Sequence, residues 1–242
     1  MPMLSSTSTC KQVMAELRKL GKESHRNTFV RHGAPSNSIY GVPIANLKVI
    51  QRKLKKNYPL SLELYDTGNS DAMYLAALIA DEMLITRTDL NKWARQATWG
   101  MISTVVAWVA GESKHAVPLA KKWINAKPEK IAATGWQTVS SYASVTPDEM
   151  IDSTWIDGLL DRVANEIHDE RNDVKDSMNG FVIAIGSYVP VLHRKALKIA
   201  RKTGTVEINQ RNTACKVPDA TAAIQKIEKA GRLGRKRRTA RC

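Results

Sequence analysis

The chain is short of the residues that staple or punctuate a fold. Its 242 residues include three cysteines, nine prolines, thirteen glycines and two phenylalanines. Cys10, Cys215 and Cys242 stand far apart and fit no metal-ligand spacing, so they read as free thiols. Neither a disulfide scaffold nor a metal centre is expected, and no cofactor. Long apolar runs are missing too: the longest, at 101–110 and 181–192, are broken by serine or glycine and fall short of the roughly 20 residues a bilayer requires. No membrane span or membrane partner is expected. Residues 1–22 lack the apolar stretch of a secretory signal, which leaves the cytoplasm as the expected compartment. Acidic residues are also in deficit, 23 against 37 lysines and arginines, for a net charge of +14.

What is present is the composition of a folded domain, 43% hydrophobic and 25% charged. Ala, Leu, Ile, Lys and Glu recur every three or four residues, a helical period sustained almost throughout. The fold expected is all-α. Helices are predicted at 9–23, from Pro43 onward through Leu47, Ile50 and Leu54, and at 71–84, 89–96, 101–111, 116–125, 129–142, 148–167 and 172–188. The Arg31-His32-Gly33-Ala34-Pro35 stretch reads as a loop. Helices of this length arriving in pairs every 35–45 residues suggest a solenoid of stacked helical hairpins rather than one compact bundle, which would offer a long concave surface to an extended partner. No crisp sequence repeat accompanies the pattern.

The C-terminal segment differs from the rest. Residues 216–242 hold nine lysines and arginines against Asp219 and Glu228, half of the whole charge excess. The reading is a helical-repeat domain over 1–215 followed by a helix at 216–230, entered through Pro218, and a basic tail at 231–242 with too little apolar surface to fold alone. Clustered charge of this kind points to a polyanion, nucleic acid above all, with Lys216, Arg235, Lys236, Arg237 and Arg238 as phosphate contacts. Six tryptophans outnumber the phenylalanines. Trp93, Trp108, Trp123 and Trp155 fall in apolar registers. Trp99 and Trp136 each lie beside glycine and a polar residue, where an indole could line a groove.

Several pieces together resemble a known family. Tyr40-Gly41-Val42-Pro43 with Leu47 and Ile50, the acidic helix 71–84, the Trp99 helix start and Gly180-Phe181-Val182-Ile183-Ala184 are similar to the DNA alkylation repair proteins, the AlkD-like HEAT-repeat DNA glycosylase superfamily. The likeness runs from about residue 13 to 200. It implies a basic concave surface that holds duplex DNA, alkylated or distorted, in a nucleoid-associated protein, with Trp99 and Ser103 at family positions; Trp136, Arg31, His32 and the C-terminal cations are the further DNA contacts expected of this sequence. In active members a carboxylate four residues after the tryptophan stabilises the developing sugar cation during release of N3- or N7-alkylpurines. That position is Ser103. The resemblance also implies an arginine on the later helix, which 129–145 lacks, and a late tryptophan where Gly180-Phe181 stands. The segment Thr213-Ala214-Cys215-Lys216-Val217-Pro218 and the basic end look like an extension peculiar to a subgroup.

Three readings stay open. The first is a non-sequence-specific DNA-binding protein with glycosylase activity lost or altered; the second an active glycosylase using a different acid, Asp81 or Glu82; the third a HEAT-like scaffold for a protein or RNA.

Overall fold

The computed structural model describes residues 4–210, 213 and 215–241, and among them the regular structure is helical, with no strand. Ala214 and Cys242 lie outside the described residues. In chain order the α-helices are α1 (Cys10–Leu20), α2 (Glu23–Arg31), α3 (Ile44–Leu54), α4 (Tyr58–Asp66), α5 (Ser70–Ile79), α6 (Arg87–Gln96), α7 (Gly100–Glu112), α8 (Ala116–Trp123), α9 (Glu129–Val145), α10 (Ser153–Glu166), α11 (Asn172–Tyr188), α12 (His193–Thr203) and α13 (Ala220–Lys229). No helix among them is long and apolar enough to cross a membrane.

The expected helices are present, with shifted ends. The first was read through to Glu23, but the chain leaves α1 at Gly21 and restarts as α2 at Glu23. The 71–84 helix stops at Ile79, and Asp81 instead organises the turn after it by accepting the Met83 amide at 3.0 Å. Residues 148–167 split into a 3₁₀ turn and α10, whose start is capped by the Asp152 side chain. Three helices were not anticipated, α2 among them. α4 begins at the Asn57 cap with Pro59 in its first turn, and α12 is strongly amphipathic, burying Ala196, Ile199, Ala200 and Thr203.

The chain divides into two compact units, the division falling within α7 after Val109. In the first unit α5 packs against both α4 and α3, and α1 lies on α4 and α5. Tyr65 and Trp93 stack 4.2 Å apart in its core, the Tyr65 hydroxyl donating to the Trp93 carbonyl. In the second unit α9 pairs with α8, α11 with α12, and helices two apart in sequence also pack: α9 on α11, α10 on α12, α11 on α13. This pattern of a hairpin partner plus the corresponding helix of the next hairpin is that of helical repeats. Its core centres on Trp136 and Phe181, edge to face at 5.1 Å, with Leu160, Val163 and Met178 around them.

The Tyr40-Gly41-Val42-Pro43 piece is held by a buried acid. Asp71, in the first turn of α5, accepts hydrogen bonds from the amides of Tyr40 (2.6 Å), Gly41 (3.1 Å) and Val42 (2.9 Å). Burial pushes its carboxyl above the usual range while the three amides pull it back. Gly41 has φ +81°, and a Cβ there would lie 2.6 Å from the Lys22 carbonyl oxygen. Only glycine fits both the conformation and the space. Gly41→Ala should therefore lower stability by about 1–3 kcal/mol in urea unfolding, and Asp71→Ala, which strands three donors, by about 3 kcal/mol or more. Unfolding midpoints unchanged from the wild type would show that the clasp contributes nothing.

Candidate nucleic-acid interface

The cationic C-terminal segment is placed by the ends of helices. The last carbonyls of an α-helix have no partner within it and carry the negative end of its dipole. In the second unit α9 and α11 end side by side, and the segment after α13 supplies their donors. Gly234 donates its amide to Ser187 O at 2.9 Å and Arg237 donates its own to Ser144 O at 2.7 Å. The Lys236 ammonium reaches Ala143 O (3.0 Å) and Tyr188 O (2.6 Å), and pairs with Asp148 at 2.8 Å. One amine thus serves the carboxyl ends of two helices. Beyond it, Thr239 and Ala240 both donate to the Glu112 carboxylate, at 2.5 and 2.6 Å. Arg241, in the first unit, is 8% exposed and donates to Ala80 O at 2.7 Å and to Glu82 at 2.8 Å.

Seating α13 on α11 needs a bare backbone. A Cβ on Gly186 would come within 2.6 Å of Ile224, a buried residue of α13. The His193 imidazole adds a polar tie, lying 2.7 Å from Gly186 O and 3.3 Å from the Glu228 carboxylate of α13.

Between α11 on one side and α13 with the following segment on the other runs a cleft of about 830 Å³. Gly180, Ala184, Ser187, Ile183 and Tyr188 of α11 line one wall, with Ala223 and Ile227 of α13 facing the same space. Six cations line it, Lys226, Arg232, Arg235, Lys236, Arg237 and Arg238, and no carboxylate does. Among the described residues the side chains of Arg232, Arg235, Arg237 and Arg238 have no hydrogen bond or ion pair, and all four are exposed. Four exposed guanidiniums lining one cleft, with no ion pair among the described residues, give it a positive field that an external anion can neutralise. Planar guanidinium forks suit phosphate in particular.

The structure brings some of the expected site residues together and separates others. Arg235, Lys236, Arg237 and Arg238 share the cleft, although Lys236 has its ammonium fixed on helix ends rather than turned outward. The tail, expected to have too little apolar surface to fold alone, is held instead by docking: unmet helix carbonyls and the Glu112 carboxylate give its backbone fixed partners. Lys216 is exposed but does not line the cleft. Arg31 and His32 are exposed at the end of α2, in the first unit.

The groove positions expected for Trp99, Trp136 and Ser103 are corrected as well. Trp99 is 3% exposed, its indole nitrogen donating to Ser70 Oγ at 3.1 Å and its ring against Phe29. Trp136 is fully enclosed, and its indole nitrogen has no hydrogen-bond partner among the described residues. Ser103 is 2% exposed, and its hydroxyl likewise has none. Glycine and polar neighbours suggested exposure, but the apolar period of α7 and α9 turns these side chains inward. Asp81 stands on the turn after α5, 3.9 Å from Lys56, and neighbouring Glu82 pairs with the same lysine. For Glu82 burial alone would raise the carboxyl, yet Lys56 and Arg241 beside it hold it below the usual carboxylate range.

Residues the sequence reading passed over are Tyr188, Ile183 and Ile227, and as cleft residues Lys226 and Arg232. Tyr188 closes an apolar helical run and carries no signal of its own. The segment that makes it a wall arrives more than forty residues later.

With this geometry in place, comparison identifies the lineage. The profile of the DNA alkylation repair enzyme family matches residues 13–224, and the chain belongs to that family. Two uncharacterised proteins of similar length are related along most of it: one from Listeria innocua serovar 6a (34% identical over 90% of this chain and 96% of that protein), and one from Listeria monocytogenes serovar 1/2a (35% identical, with the same coverage). A solved structure superposes with a TM-score of 0.89 at 35% identity, covering 97% of this chain and all of the other. It represents a family related to the HEAT-like repeat DNA glycosylases with affinity for branched DNA structures. The all-α, HEAT-like fold expected of the sequence is therefore the fold observed.

Two outcomes follow for variants. Lys236→Met should lower stability by about 2–3 kcal/mol, because it leaves two helix-end carbonyls and Asp148 without their shared donor; a thermal midpoint equal to wild type would refute the anchoring role. Ser103→Asp should cost at least as much, since it puts a carboxylate at a position 2% exposed, where desolvation penalises the charged form. Calorimetry showing wild-type stability for Ser103→Asp would mean that the site opens to water.

Proposed function

We propose that this protein binds DNA without reading its sequence, favouring branched or distorted DNA, and that the glycosylase chemistry of its superfamily is lost or altered in it. The observation that carries the reading is the quartet Arg232, Arg235, Arg237 and Arg238, exposed along one cleft and without an ion pair among the described residues. Phosphate contacts of this kind fix affinity and orientation but carry no base code. The relative with affinity for branched DNA structures supports the choice of target. The loss of chemistry is supported by Ser103, uncharged and enclosed at the position where the resemblance expects a carboxylate. Asp81 is the alternative acid, but its recorded partners are Lys56 and the Met83 amide, which suit a turn-organising role.

The reading is tested by titrating a four-way junction and a blunt duplex with protein across 50–200 mM salt, the range over which phosphate contacts show themselves. Binding should weaken steeply with salt and hardly vary with sequence. Replacing the four arginines with glutamine should flatten the log–log slope on duplex by about 3–4, on the order of 0.9 for each phosphate contact removed. A slope that survives the replacement would place the DNA elsewhere, and tight binding that ignores salt and is not competed by DNA would favour a protein scaffold. Incubation with duplex carrying 7-methylguanine should release no base above the no-enzyme background. Robust release abolished by Asp81→Asn would establish the enzyme reading instead.

A further inference from the structure

The cleft is not built only for phosphate. A surface meant for a duplex backbone needs cations and hydrogen-bond donors, and apolar side chains set among them do nothing for it. Here Tyr188 and Ile183 of α11 face the same space as Ile227 of α13, all three only partly buried, with the arginines around them. Small residues on α11, Gly180 and Ala184, keep that wall low. At Gly180 a Cβ would meet nothing within 4 Å, so the space above the helix is open.

The volume sharpens the point. About 830 Å³ is the size of a pocket for one drug-sized ligand, which the stacked interior of a duplex does not present. A duplex keeps its base faces inside and shows the protein phosphates and groove edges. An unpaired strand shows phosphates and base faces together. Positive side chains tracking a backbone beside an aromatic ring on which a base can stack is the chemistry by which single strands are held.

We infer that the cleft takes an unpaired DNA strand, with a base laid on the Tyr188 ring between Ile183 and Ile227 and the flanking phosphates on the arginines. This rests on the DNA-binding reading above and adds to it the part of the DNA that is recognised. At a junction or flap, the single-stranded or unstacked nucleotides enter the cleft. The duplex arms contribute phosphate contacts only. Preference for branched DNA then comes from the availability of a base face rather than from the angle between arms. Lys236, by holding the carbonyl of Tyr188 at 2.6 Å, positions the residue that carries the stack.

The test uses the full chain and three fluorescein-labelled DNAs of one sequence: a single strand, a blunt duplex, and a duplex with a single-stranded flap, each followed by anisotropy. Wild-type protein should bind the single strand and the flap more tightly than the blunt duplex. Tyr188→Ala should weaken binding of the first two by roughly 5- to 150-fold, the range for loss of one stacked base, while duplex affinity stays within about twofold and the salt slope is unchanged. Tyr188→Phe, which keeps the ring, should behave as wild type, and Ile227→Asn should repeat the loss from the facing wall. Equal affinity for all three DNAs, or wild-type flap binding by both Tyr188→Ala and Ile227→Asn, would overturn the inference. If the four-arginine variant loses duplex binding while those results hold, the phosphate reading survives and only the base stack falls. If wild type binds none of the DNAs at 50 mM salt, both fall together.

Discussion

The constraint behind this architecture is that a helix cannot satisfy its own last carbonyls. In the second unit α9 and α11 finish together, and the oxygens of Ala143, Ser144, Ser187 and Tyr188 all find donors in one segment, Gly234 to Arg237. That segment is the most basic of the chain and has almost no apolar side chains to anchor it. Hydrogen bonds to helix ends do what hydrophobic burial does elsewhere. Because the negative ends of two dipoles converge there, a cation is the natural plug, and Lys236 is that plug. The cleft, its cationic edge and the exposure of Tyr188 all depend on this docking.

Lysine and arginine divide the work along lines their chemistry sets. A compact ammonium on a flexible stem can enter a narrow space between carbonyls, and its stem packs on the way in. A guanidinium is broad and planar and keeps its forks useful only when they face outward. In the run Arg235-Lys236-Arg237-Arg238 the one lysine turns in and the three arginines stay out. As a string of charges the four look equivalent. Their partners make them unlike.

Much of the fold could be read from spacing alone, since the period of Leu47, Ile50 and Leu54, or of the long apolar runs in α7 and α11, admits nothing but helix. What escaped were helices whose local signals are weak or double. α4 begins with Tyr-Pro after an asparagine cap, and α12 follows a proline turn within a strongly basic stretch. The candidate cleft was legible by charge and illegible by geometry. Arg235, Lys236, Arg237 and Arg238 stood out, but their neighbour Tyr188 becomes part of a cleft through contacts between residues 45 or more positions apart. Trp136 failed in the opposite sense. Its glycine neighbour, Gly135, marks the close approach of α8, where a Cβ would sit 2.5 Å from the Ile124 amide, and so signals tight packing rather than an open groove.

The unpaired arginines have a consequence for the folded protein by itself. They line one cleft on a segment whose backbone is fixed at the helix ends, so like charges that would otherwise spread apart are kept in one region, with mutual repulsion that solvent and salt screen. Dissolved salt therefore acts on this protein in two opposed directions. It screens the crowding and firms the docked segment, and it also competes with any phosphate backbone for the same guanidiniums. A bound polyanion resolves the conflict in one stroke, relieving the strain among the cations while occupying them. On the proposed reading, an anion laid on these arginines would hold the segment more firmly than water does.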